Sequence, residues 1–167
     1  MASFRCTAKL LKEMGAKPGH VPPENPDDWH ANLIRYGPKK LVLFCSSSTL
    51  FACLTPPVTR AQIREPESIF LPALEAAMHA DGYSASSIAY CKRRFSGMKV
   101  SKTIDRSVLG TMTDYLYHID AVMNRFGGID RCDFGYVSSR LNEIPQVKRE
   151  FFNANEAFGR SLIRVVD

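Results

Sequence analysis

Between Asp105 and Phe126, apolar residues recur at Val108, Met112, Tyr115, Ile119, Val122 and Phe126. The spacing alternates four and three, which is the period of one helix face. Gly127-Gly128 closes the run with residues that accept positive φ. A helix of this length with one apolar face needs a second layer to cover it. The segment upstream offers that layer. Trp29–Tyr36 is broken by Gly37-Pro38, Lys40–Cys45 by three serines, and Thr49–Leu54 by Pro56-Pro57. Short gaps between apolar runs predict an antiparallel three-stranded meander. Its Leu-, Phe- and Val-rich central runs are strands covered by helices on at least one face.

The remaining chain fits around these two features. Ser3–Cys6 reads as a short strand. Thr7 reads as the N-cap of a helix over Ala8–Met14, with Gly15 just past its end. Four prolines between Pro18 and Pro26 make Lys17–Asp28 a rigid loop. A helical stripe of Ile69, Leu74, Ala77 and Met78 follows Glu65, and Pro72 fits there only near a first turn. Ser84–Phe95, Phe134–Glu143 and Glu150–Leu162 complete the helices. Strands first and helices after predict one α+β domain over residues 1–167, with a mostly helical C-terminal half packed on the sheet.

Composition narrows the class further. At 45% hydrophobic and 23% charged residues, the chain carries enough apolar surface to exclude wholesale disorder. The longest apolar run, Leu41–Cys45, is strand-sized, so no membrane partner is expected. The opening residues lack the pattern of a secretory signal, and five cysteines without Cys-x-x-Cys suggest reduced thiols. Both point to a cytoplasmic location. Cys45 and Cys53 fall in apolar strands, where thiols act as small inert hydrophobes.

The net charge of +5 is concentrated rather than spread. Cys91–Arg106 holds six basic residues against the single acid Asp105, and the rest balances 16 of each sign. Lys92, Arg93, Arg94 and Lys99 therefore form a candidate contact for nucleic acid or an acidic protein. Catalytic signatures are missing: there is no Gly-x-Ser-x-Gly, no Gly-x-Gly-x-x-Gly, and the four histidines are scattered. Gly97–Thr103 only approximates a phosphate loop. No cofactor, metal site or catalytic residue is implied.

The block Ser101–Asp114 is the most distinctive stretch. Arg106, Gly110 and Asp114 share one helix face, opposite the apolar stripe. Glycine inside a helix costs about 1 kcal/mol against alanine. Either another element approaches closely at Gly110, which is the expectation, or the position leaves room for a ligand. Lys102, Thr103, Arg106, Ser107 and Asp114 form a candidate site for a phosphate- or carboxylate-bearing molecule at the helix entrance. Asn32 and Asn142 are candidate amide contacts.

Arg5-Cys6-Thr7, Trp29 with Asn32-Leu33, and above all Lys102-Thr103-x-x-Arg106-Ser107-Val108-Leu109-Gly110 with Met112 and Asp114 resemble a family of short bacterial proteins grouped as a domain of unknown function. The resemblance implies a shared design and no particular activity. The leading functional expectation is a non-catalytic module that presents its basic segment to an acidic macromolecule. The alternatives are a small-ligand domain or enzyme built on Lys102–Asp114, and an accessory inhibitor of a nucleoprotein complex.

Overall fold

Thr7 caps the first helix as its sequence suggests: its hydroxyl accepts from Leu10 N–H, and Gly15 ends the helix with φ 67°. The computed structural model describes residues 1–166. In chain order, β1 (Ser3–Cys6) and α1 (Ala8–Met14) precede β2 (Trp29–Tyr36), β3 (Lys39–Ser46) and β4 (Ala52–Leu54). Then come α2 (Arg60–Ile63), α3 (Pro66–Ala80), α4 (Ala85–Arg94), β5 (Lys99–Lys102), α5 (Arg106–Phe126), α6 (Phe134–Asn142) and α7 (Ala154–Val166).

The α+β class holds, and the sheet is larger than a meander. Strands β2, β3 and β4 do run antiparallel, but the sheet has five strands in the order β4-β3-β2-β1-β5 and is mixed. β1 lies parallel to both β2 and β5. Strand β5 left no periodic signal, because its four residues Lys-Val-Ser-Lys offer little to bury; it forms by pairing with β1 from far away in sequence. The four-residue α2 was also unanticipated; it is held by a capping box between Thr59 and Gln62.

Two further expectations are corrected. The run Thr49–Leu54 is strand only from Ala52, since Leu50 turns into the left-handed region with φ 62°. That conformation is unusual for a branched residue. Here it is fixed by Leu50 N–H donating to Ser46 and by Tyr115 hydroxyl donating to the Leu50 carbonyl at 3.0 Å. Pro72 sits well inside α3 rather than in its first turn. It lies on the exposed side, where water can satisfy the carbonyl that proline leaves without a donor.

Side chains alternate between the two faces of the sheet, so paired positions share a face. Phe4, Trp29 and Phe44 face α3, and each packs on Phe70 with ring centroids 4.9–5.1 Å apart. The other face carries Ser101, Arg5, His30 and Cys45 abreast on four neighbouring strands, joined by the register Arg5↔Ser101, Arg5↔His30 and His30↔Cys45. Helix α5 packs over β2 and β3 on this side with its Val108, Met112, Tyr115 and Ile119 stripe buried. No helix among the described residues is long and apolar enough to cross a membrane.

The two sheet edges are protected differently. α6 covers β4: Asn142 accepts from Ala52 N–H at 2.7 Å and donates to Ala52 C=O at 2.9 Å, while Ser138 accepts from Leu54 N–H at 2.9 Å. At the opposite edge, β5 carries the exposed lysines Lys99 and Lys102. Lysine on an edge strand opposes pairing with other chains.

Candidate functional site

A guanidinium in an otherwise apolar strand is costly to bury without partners. Arg5 is 1% exposed, flanked by the core residues Phe4 and Cys6. Its Nε donates to Asp28 Oδ2 at 2.8 Å, and its Nη2 donates to the carbonyls of Pro22 and Pro23 at 2.9 and 2.7 Å. The proline-rich loop is thus pinned to the sheet through carbonyls, the polar backbone group that proline retains. Asp28 is as deeply buried, and also accepts from the amides of Ser3 and Asn25. The third arm of Arg5, Nη1, is buried without a partner, as is the hydroxyl of Ser101 on the neighbouring strand.

Arg5 and Asp28 border a cavity of about 340 Å³, walled also by His30 on β2 and by Glu24, Ser48 and Asp105 from the loops. His30 is 2% exposed, and its Nδ1 lies 2.8 Å from Thr103 Oγ1. Burial holds its pKa below the ordinary histidine value, against a weaker pull from Asp105, so the ring is neutral at pH 7. A second hollow of about 450 Å³ lies between α5 and α6 around Val122, Phe126 and Tyr136, but no buried polar side-chain atom without a partner belongs to its wall.

The residues singled out from sequence do not converge. Thr103 reaches the cavity's edge through His30. Lys102, Arg106 and Asp114 are exposed, and Ser107 accepts from Arg149. The helix entrance that was expected to hold an anion is already served by Asp105, whose Oδ1 accepts from Ser107 and Val108 N–H. Asn32 is held by the Thr7 hydroxyl, which donates to its Oδ1 at 3.0 Å. Asn142 is fully buried against β4, with its amide hydrogen-bonded to the Ala52 backbone. Sequence reasoning missed Arg5, Asp28 and His30 as site residues. The available signal was a charged residue between Phe4 and Cys6 in a strand.

The basic segment is also not one patch. Lys92 pairs with Glu75 at 2.8 Å and Arg94 with Asp27 at 2.7 Å, while Arg93 is exposed. Lys99 and Lys102 stand three residues apart on β5, which sends them to opposite faces of the sheet.

Above Gly110 there is open space: a Cβ built there meets nothing within 4 Å, and Arg106 and Asp114 both face solvent. The expected close approach is therefore absent. With a helical backbone and room for a methyl, Gly110→Ala is expected to stabilise the protein by about 0.5–1 kcal/mol, read as a higher urea midpoint at unchanged slope. A lower midpoint would contradict the open face.

The thiols are unsuited to nucleophilic chemistry. Burial pushes Cys6 up to about 12, and Cys45 and Cys53 are raised by the same cause. No cluster of three or more His, Cys, Asp or Glu side chains among the described residues is placed to hold a metal.

Fold and cavity together define an α+β domain with a mixed sheet and a polar hollow on the face that α5 covers. The chain belongs to the family described as domain of unknown function (DUF6933), whose model matches residues 3–157. No curated protein matches the chain.

Proposed function

We propose that this protein is a small-molecule-binding domain whose ligand seats in the cavity beside Arg5 and offers it an oxygen acceptor. The observation that carries this reading is the buried, unpartnered Nη1 of a guanidinium whose other donors are all engaged. Leaving such a group unmet costs about 1–3 kcal/mol or more, and apolar substitutes for Arg5 would avoid that cost. Its retention in the lining of a cavity of about 340 Å³ is accounted for by a bound acceptor. A binding role is proposed, without a reaction.

The expectation of a basic docking module has less support. Two of its cations are engaged in ion pairs and two others protect a strand edge on opposite faces. Of the candidate residues in the Lys102–Asp114 block, Thr103 alone is connected to the cavity, through His30, while the helix cap Asp105 lines its wall.

Native mass spectrometry of protein purified from cells tests the proposal. Wild-type protein is expected to carry a retained small molecule. Ser48→Trp, placed on an exposed residue of the cavity wall, is expected to lose that molecule without losing its circular dichroism spectrum. A wild-type mass equal to the bare polypeptide, with identical melting of both proteins, would refute the proposal. That result would assign Nη1 to water.

A further inference from the structure

The charges around the cavity narrow the ligand class. Three carboxylates border it, those of Glu24, Asp28 and Asp105, against one guanidinium. Arg5 and Asp28 neutralise each other at 2.8 Å, and the carbonyls of Pro22 and Pro23 draw further on the guanidinium. His30 is neutral and adds no positive charge. Glu24 stands at the exposed rim with no ion pair among the described residues. Asp105 is partly offset by the α5 N-terminus, where its Oδ1 accepts two amides. The remaining field is negative at the mouth, while the Nη1 amino group of Arg5, with its two N–H, has no partner.

From this arrangement we infer that the ligand is a small organic cation that also carries a hydroxyl or carbonyl oxygen, the oxygen meeting Arg5 and the ammonium lying toward Glu24 and Asp105. This rests on the binding reading above. A phosphate or dicarboxylate would bring like charge against the Glu24 and Asp105 carboxylates, and like-charge juxtaposition is how sites reject wrong ligands. A neutral polar molecule would satisfy Arg5 and leave the two acids without a partner. The cavity volume suits a molecule the size of a six-carbon sugar.

Three probes of matched size separate the cases by isothermal titration calorimetry: glucosamine in its ammonium form, glucose, and glucose 6-phosphate. Glucosamine is expected to bind at least tenfold more tightly than either of the others. Glu24→Gln, a change at an exposed side chain, is expected to remove most of that preference while leaving the melting temperature unchanged. Equal or tighter binding of glucose or glucose 6-phosphate would overturn the cation assignment, and so would a preference that survives Glu24→Gln. Failure of all three probes also overturns it as stated. The cavity reading itself falls only with the native mass spectrum, so the two failures are distinguishable.

Discussion

Replacing Asp28 with alanine is expected to lower stability by about 3–5 kcal/mol, the usual cost of removing one partner from a buried ion pair. Asp28 and Arg5 are both almost fully buried, so the change leaves a buried guanidinium without its counter-charge. It also removes the acceptor of the Ser3 and Asn25 amides, releasing the proline-rich loop from the start of β1. Domains are typically stable by about 5–15 kcal/mol, so the loss is a large fraction of it. Urea denaturation followed by tryptophan fluorescence measures the effect, since Trp29 is adjacent and buried. Asp28→Asn keeps an acceptor and removes the charge, and is expected to fall between alanine and wild type. A loss below about 1 kcal/mol for alanine would show that the pair merely breaks even with its desolvation.

The second large effect is at Asn142. Alanine there leaves the N–H and C=O of Ala52 buried and unmet on the edge of β4. At about 1–3 kcal/mol for each orphaned group, an expected loss of about 2–6 kcal/mol follows. Amide hydrogen exchange gives an independent reading: the Ala52 amide is protected by a side chain and not by a neighbouring strand. Its protection should collapse in Asn142→Ala while that of Phe44 and Cys45, within β3, falls only with global stability. Parallel loss at all three positions would mean that α6 and the sheet open as one unit.

What was legible in the sequence follows from where the determining forces lie. Helix α1 with Thr7 and Gly15, strand β2 and helix α5 were readable because caps and periodicity are local. Strand β5 was not, since its only sheet partner is β1. Leu50 was read as strand because a left-handed leucine has no compositional mark; Tyr115 and Ser46 hold it there. The candidate site residues are dispersed in the fold for a related reason. Asn142 drew notice as a polar side chain, and its amide turned out to complete a sheet edge. Arg5, Asp28 and His30 come together only through the parallel register and the loop that folds over it. Of the candidate residues in the block that looked most like a site, Thr103 alone is hydrogen-bonded to them, through His30.

The position of β1 between β2 and β5 also sets a schedule for folding on the ribosome. Residues 3–6 emerge first, yet one side of this strand waits for residues 29–31 and the other for residues 99–102. Until then the nascent sheet ends at β1 with a row of unpaired amides and carbonyls beside a buried charge, an invitation to association with other chains. Contacts so distant in sequence also slow the search for the native state. A chain stopped before Lys99 is therefore expected to aggregate, although it contains four of the five strands and most of the aromatic core.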